Sequence, residues 1–540
     1  MLQQSHPSQT DASSNGHQNG DVSRHASNGP GTLMLGDGPL SARELWRFAQ
    51  GANSPHHHLR IKYSRAAVDR MAEASKLLHK LVAAEEPVYG VNTGFGFFAN
   101  VVIPPEKIEA LQKNIVRSHC TGVGEPLSRD LVLAMWLIGL NTMAKGNSGI
   151  RFRIIESITK TLEAGILGIV PSQGSVGASG DLAPGAHAAL VLLGEGSCTA
   201  PAGGKIVKLR AAEALRQVGV TPVELGPKEG LSLINGTHLS TALAVKAWSE
   251  GEYLLKVANL AAALTLEALG GDRMTCDESV LKAHGHPGTI ACGQELSGWL
   301  GRSSELSAHH IDSHWIQDPY SLRCVPQVHG AVWDELEYSS VVLEREINAV
   351  TDNPLLFPDE GTVRYGGNFH AIHPARVSDR LASALTTLAN ISERRISQSM
   401  KAPRGHLPTF LVTDGGVNSG FMMAHVTAAA LVSEAKTQCF PASVDSIPTN
   451  VTQEDHVSMG PVAGIKACRV VDILRQVLAI ELLTAAQGLH LMRPLQSSPR
   501  LEKVYAWIRS LVPPLEEDRV LTDDIELIVE KLRAHELEVA

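Results

Sequence analysis

The chain has 540 residues and a formal net charge of −9, with 44% apolar, 19% charged and only 4% aromatic residues. That length implies at least two packed regions, and abundant Ala and Leu with few aromatics favour helices over sheets. An acidic balance without a Lys/Arg cluster argues against nucleic-acid and anionic-membrane partners.

Residues 1–38 read as a disordered tail. Up to about residue 35 the chain has no Phe, Trp or Tyr and is crowded with Ser, Asn, Gly, Gln and His, too little apolar surface to offset ordering entropy. It lacks the apolar stretch of a secretory signal and the Arg-rich character of a transit peptide. Further on, no apolar run is long enough to cross a bilayer: Tyr253 to Gly271 is interrupted by Lys256, Asn259 and Glu267. Seven scattered cysteines without CxxC spacing fit reduced thiols in a cytoplasmic enzyme. No metal site is expected. His56, His57 and His58 are adjacent, and no carboxylate or thiol completes a recognised motif with His310 and His314.

Val88 to Gly96 is a glycine-spaced loop with a phenol, Tyr89, near its start, and no phosphate-binding pattern follows it. By itself Tyr89 would more often be a packed tyrosine than a base. Ser118-His119 lies near a predicted helix C-terminus, where a capping histidine is the ordinary reading. Leu131 to Leu140 is apolar on every side, as in a buried helix.

Residues 172–187 contain Gly-Ser-Val-Gly-Ala-Ser-Gly-Asp-Leu-Ala-Pro. The small residues around Ser179 let the amide nitrogen of Gly180 reach the carbonyl carbon of Ala178, and a side chain at 180 would block that approach. Cyclisation and loss of water, with the Ser179 hydroxyl, would give a 4-methylideneimidazol-5-one (MIO), an electrophile no ordinary side chain supplies.

Asn235, before Gly236, offers an amide to a carboxylate or an amino group, and Gln317, Tyr320 and Arg323 follow in one short segment. The Arg323 fork suits bidentate carboxylate capture, although a surface ion pair is the usual fate of arginine. Phe369 lies in Gly-Gly-Asn-Phe-His. Val377, Leu381, Leu385, Leu388 and Ile391 mark one face of a helix. Glu454 stands in Gln-Glu-Asp-His-Val-Ser-Met, and the proline-free stretch from Gly464 to Met492 reads as another long helix. Helices of this kind in the second half suggest a long bundle.

The run around Ser179, with these other motifs in order, resembles the aromatic amino acid ammonia-lyases and aminomutases over about residues 42–531. Ser118-His119 and the Gln453–Met459 run are similar to the histidine ammonia-lyase branch; the phenylalanine- and tyrosine-specific enzymes differ at both. The resemblance implies a mainly α fold of the fumarase/aspartase-like superfamily, with an MIO-bearing region over about 39–235 and a central bundle and C-terminal region over about 236–540. It implies a carbon–nitrogen lyase that eliminates ammonia from L-histidine to give trans-urocanate. The MIO would form autocatalytically from Ala178, Ser179 and Gly180, without an external cofactor. Homotetramers with composite active sites are implied as well.

Residue by residue, the resemblance makes Tyr89 the base for the β-proton, for which electropositive surroundings would have to lower its pKa. Arg323 and Asn235 would hold the carboxylate, His119 and Glu454 the imidazole, and Tyr320 and Gln317 the substrate and electrophile, with Phe369 packing near the cofactor. Glu454 is the alternative base. Thr452, Ile372, Gly185 and Asn147 depart from the family pattern, outside the residues assigned to chemistry. The rival readings are another MIO enzyme, an inactive oligomeric scaffold and a fumarase-like lyase, and the last lacks its signature loop here.

Overall fold

A computed structural model describes residues 31–56, 58–84, 87–309, 316–401 and 407–539. The fold is mainly helical, 60% helix against 9% strand. Most of the expected tail, with His57, His310 and His314, lies outside the described residues. The tail boundary at residue 38 falls too late. Thr32–Leu35 pairs in parallel with Arg60–Tyr63, and Leu33 and Leu35 are buried beneath that pair. Alternation over so short a strand leaves little trace in composition.

The bundle is built on His238–Leu269, Val325–Ile347, Ile372–Ser399 and Gly460–Leu491, with Pro287–Leu300 and Met422–Gln438 against its sides. His238–Leu269 has 32 residues and is about 48 Å long at 1.5 Å per residue. It is buried on nearly every side by Ile372–Ser399 and Gly460–Leu491. Inside, Arg395 and Glu481 form a fully buried ion pair, to which Thr265 and Ser392 add hydrogen bonds. The periodic run from Val377 to Ile391 lies within Ile372–Ser399 and faces this core. Gly460–Leu491 starts before the expected Gly464 because Pro461 occupies the first turn, where its missing N–H has no intrahelical role.

In the N-terminal region, Arg129–Ala144 is buried almost throughout, as its composition requires. Small sheets join the surrounding helices. Ser197–Ala202 pairs with Lys205–Arg210 and with Leu167–Gly168, and Val123–Pro126 pairs with Pro171–Gln173. The chain from Gln173 to Asp181 therefore leaves a strand and enters the helix Leu182–Leu190. It passes over the N-terminal end of the bundle, where Gly180 bridges Gly236, two residues before His238–Leu269 begins.

Candidate active site

The loop containing Ala178, Ser179 and Gly180 is held from two sides. Gly180 has φ +77°, and a Cβ there would lie 2.2 Å from the Gly236 carbonyl oxygen. Only glycine fits, which is the requirement for ring closure through its nitrogen. The next amide, Asp181 N–H, donates to Gly236 O at 2.8 Å. The Asp181 carboxylate accepts from the Ser240 amide at 2.7 Å and the Ser240 hydroxyl at 2.9 Å, in the first turn of the bundle helix. Burial pushes the Asp181 carboxyl up to about 6 against these hydrogen bonds.

On the other side, the Gln453–Met459 run reaches the same loop. Ser179 Oγ donates to Glu454 Oε1 at 2.8 Å, Ser458 Oγ to Gly177 O at 3.0 Å, and Met459 N to Val176 O at 2.8 Å. Ala178 packs with Ala375, Ala442, Val457 and Met459. Thr449 Oγ1 donates to Glu454 Oε2 at 2.6 Å, which leaves Oε1 facing Ser179. The turn before Glu454 carries three left-handed residues, Asn450, Val451 and Thr452, with φ of 51°, 54° and 66°. His370 Nε2 meets His456 Nδ1 at 3.2 Å and places half-buried Phe369 beside this wall.

Tyr89 belongs to the same end. Its loop is tied down by Gln112, which donates to Gly90 O and accepts from Leu231 N. Its hydroxyl accepts from Gly96 N–H at 3.3 Å. The expected lowering of the phenol pKa does not hold within this chain. Burial raises it, the Gly96 bond opposes that, and the negative charge of Glu454 adds to the rise. His119 caps the helix Ile108–Ser118, its Nδ1 at 2.8 Å from Ile115 O. A carbonyl only accepts, so Nδ1 carries the hydrogen and neutral His119 presents Nε2 as an acceptor.

Asn235 corrects a second expectation. Its Nδ2 donates to Asp352 Oδ1 and to Asn353 O, both at 3.0 Å. Two acceptors on one side fix the amide orientation. Oδ1 is buried without a hydrogen-bond partner among the described residues. The free atom is thus an acceptor, with nothing to offer a carboxylate.

Gln317, Tyr320 and Arg323 are elsewhere. Asp318 accepts from the Asp272 amide at 2.5 Å, just past the C-terminal end of His238–Leu269. Ser240 and Gly236 lie at the other end of that helix, roughly 45 Å away along its axis. Tyr320 is 70% exposed, Gln317 is exposed, and the Arg323 guanidinium stacks over the Tyr320 ring at 4.7 Å. The chain therefore gathers Tyr89, Ala178, Ser179, Gly180, Asn235, Phe369 and Glu454, with His119 on the adjoining helix, and leaves Gln317, Tyr320 and Arg323 at its far end.

Sequence reasoning missed Lys228, Asp352 and His238. Lys228 is fully buried, and its Nζ lies 2.5 Å from Asp352 Oδ2. His238 is buried and lowered to about 4 by desolvation, with Asp352 opposing. A lysine between Pro227 and Glu229 reads as solvated, and nothing local marks it as buried. Two departures from the family pattern have local accounts. Gly185 lets its helix approach Ile234, whose Cα would lie 2.9 Å from a Cβ. Asn147 hydrogen-bonds Leu356 through Nδ2 and through its backbone carbonyl.

The family model for aromatic amino acid lyases matches residues 40–510. Histidine ammonia-lyase of Anaeromyxobacter sp. (strain K) is 47% identical over 506 residues, covering 92% of this chain and 97% of the relative. The crystal structure of histidine ammonia-lyase from Trypanosoma cruzi superposes with a TM-score of 0.85 at 40% identity, covering 94% of both chains. Tyrosine aminomutase from Streptomyces globisporus superposes with a TM-score of 0.86 at 32% identity, covering 94% of this chain and 97% of that one.

Proposed function

The chain belongs to the aromatic amino acid lyase family, and we propose that it eliminates ammonia from L-histidine to give trans-urocanate, the first step of histidine degradation. It is a carbon–nitrogen lyase. The observation that carries the substrate is the meeting of Glu454 with Ser179 at 2.8 Å, which brings the histidine-type run onto the reactive tripeptide. Fold likeness cannot choose the substrate, because the aminomutase superposes as well as the histidine enzyme. Identity and the residues at 119 and 454 favour histidine.

The residues around Gly180 fit an MIO: the close approach to Gly236, the buried Ala178 and the hydroxyl of Ser179 are what ring closure and dehydration need. When formed, this group supplies an electrophile that makes ammonia a leaving group and eases loss of the β-proton. The chain's own residues bind, orient and move protons. Glu454, held by Thr449, loses its Ser179 partner when the hydroxyl departs as water, so Oε1 becomes available to the substrate imidazole. His119 Nε2 accepts the other imidazole N–H, and the line closes when one proton is held between the imidazole and Glu454. A phenyl ring would leave both side chains desolvated and unpaired.

Tyr89, beside Glu454, takes the β-proton. That work needs a cation nearby to offset burial and Glu454. Arg323 from another copy of the chain supplies that charge and captures the carboxylate, with Tyr320 and Gln317 beside it. The length of the bundle supports composite sites, and a homotetramer is the assembly we favour. The cytoplasm is the setting we infer, since the seven scattered cysteines are free thiols, as in a reducing compartment.

The test is incubation of the purified enzyme with L-histidine, L-phenylalanine and L-tyrosine while following the conjugated acrylate by ultraviolet absorbance. Preference for histidine by roughly 10⁴-fold is expected, and His119→Leu should narrow it. Equal turnover of phenylalanine or tyrosine would remove the histidine assignment.

A further inference from the structure

Beneath the tripeptide lies an ion pair with no place in the mechanism above. Lys228 is fully buried, and its backbone takes the left-handed conformation at φ 63°. Its Nζ donates to Asp352 Oδ2 at 2.5 Å and to Ser232 Oγ at 3.0 Å. Asp352 Oδ1 accepts from Asn235 Nδ2 at 3.0 Å and from the Asn353 amide at 2.7 Å. Asn353 in turn accepts from the Gly366 amide through its own Oδ1 at 2.9 Å, anchoring the loop that carries Phe369. A buried ion pair is seldom the most stable filling of such a space, and an apolar pair of like volume is often better. A left-handed lysine adds backbone strain of the kind that collects at functional sites. The pair fixes positions, at some cost to stability.

We propose that Lys228 and Asp352 are positioning residues that hold Asn235 with its amide nitrogen engaged and Oδ1 turned out as an acceptor, so that Asn235 receives the substrate's ammonium group. Asp352 is suited to this because each of its oxygens has a separate duty: Oδ2 faces the lysine and Oδ1 faces Asn235. Asn235 is 3% exposed, and its Oδ1 is buried without a partner among the described residues. It stands one residue from Gly236, the bridge partner of Gly180. A buried acceptor in that place calls for a donor. The ammonium of an amino acid has hydrogens to donate and its carboxylate has none. The inference rests on the proposed amino acid lyase activity and goes beyond it in dividing the substrate's two charged groups between Asn235 and Arg323.

The experiment is calorimetric titration of the holoenzyme with histamine, which keeps the amine, and with 3-(imidazol-4-yl)propionate, which keeps the carboxylate. Wild type, Asn235→Ala, Asp352→Asn and the Asn235→Ala/Asp352→Asn double variant are compared. Each single variant is expected to weaken histamine by roughly tenfold or more, the scale of one charge-assisted hydrogen bond. Binding of the propionate should change by less than about twofold, and the double variant should be no worse than Asn235→Ala alone. Loss of propionate binding in place of histamine binding would overturn the proposal. So would losses that multiply in the double variant, which a purely structural ion pair would give.

If Asp352→Asn does not fold, Lys228→Met/Asp352→Asn removes the stranded cation and lets Oδ1 of the new amide face Asn235. Near-normal histamine binding is then expected, and its absence overturns the proposal. Phenethylamine and 3-phenylpropionate are run in parallel. Binding of that pair in place of the imidazole pair overturns the histidine reading alone, and selective loss of the amine member still decides the role of Asn235. A wild-type enzyme that binds neither amine overturns the proposal.

Discussion

The two ends of the helix His238–Leu269 are built on opposite principles. At its N-terminal end, Gly180, Asp181 and Glu454 are fixed by buried carboxylates, glycine-only contacts and left-handed turns. At its C-terminal end, Tyr320 stands largely in the open, and Arg323 lies on its ring. Arg323 Nε is buried without a hydrogen-bond partner among the described residues. The first end is preorganised, as a site must be if its dipoles are to stabilise developing charge. The second carries an exposed phenol with a guanidinium stacked on its ring. On the composite-site proposal, folding completes one half of a site and association the other.

That contrast is broken most directly by mixing subunits. Ser179→Ala removes the hydroxyl that dehydration must expel, and it should fold and assemble while losing nearly all activity. Mass spectrometry of the wild-type peptide spanning residues 178–180 should show the loss of two waters, and the variant peptide should not. Arg323→Ala should be similarly impaired through the opposite end. Co-expression of the two inactive chains should restore a readily measured fraction of activity, because some sites then combine an intact tripeptide with an intact Arg323. Mixed assemblies as inactive as either parent would place the whole site within one chain.

A smaller effect sharpens the far end. Arg323→Lys exchanges a planar fork for a point charge, and kcat/KM for histidine should fall by about 1–3 kcal/mol in transition-state terms. The readout is steady-state kinetics, with the loss in KM if the fork holds the substrate equally throughout. Unchanged kinetics would remove Arg323 from the site.

The sequence disclosed what sits within short runs. Leu131 to Leu140, Val377 to Ile391 and the stretch after Gly464 announce buried or amphipathic helices because their periodicity is local. Ala178-Ser179-Gly180 is legible because its chemistry needs only adjacent residues. Partners distant in sequence are a different matter. Only the family resemblance places Glu454 and the Ser179 tripeptide in one site, and their 2.8 Å contact depends on the whole bundle. Lys228 and Asp352, 124 residues apart, carry no local mark. The strands Ser197–Ala202 and Lys205–Arg210 were hidden by their mixed burial. The placement of Tyr320 and Arg323 opposite Ser179 could not be read, since no pattern says at which end of a helix a loop emerges.

The buried polarity of the near end also sets an acid response. His238 is lowered from 6.5 to about 4 by burial. A base with a depressed folded pKa contributes stability that is fully present above about 6.5 and is lost as pH falls toward 4, because the unfolded chain takes up a proton the folded chain refuses. The full loss is up to about 3 kcal/mol. Asp181 works the other way, since its pKa is raised from 3.8 to about 6 and its stabilisation is present below 3.8 and lost as pH rises through 6. Between these limits the two partly cancel. His238→Gln should remove the histidine contribution, so the thermal midpoint of the variant relative to wild type should climb steadily as pH falls from 7 to about 4.5. A constant difference across that range would mean that His238 is not buried in its neutral form.

The smallest effect tests the strain in the same wall. Thr452 is exposed and has φ 66°, between Val451 at 54° and the residues that lead to Glu454. A β-branched residue is poorly suited to the left-handed region, where each ordinary L-residue costs about 1–2 kcal/mol, whereas asparagine enters it with local side-chain compensation. Because the side chain is exposed, substitution acts on the backbone with little repacking. Thr452→Asn should therefore stabilise the turn by about 0.5–1 kcal/mol. In a chain of this size that is a rise in thermal midpoint on the order of one degree. Thr452→Ala removes the branching without supplying the asparagine amide, so it should gain less. The strain also bears on function, since Thr449, whose hydroxyl positions Glu454 at 2.6 Å, opens the same turn. Thr452→Asn should leave histidine specificity unchanged while slowing thermal inactivation. If Asn and Ala variants are equally stable, the left-handed conformation at 452 is not what limits the turn.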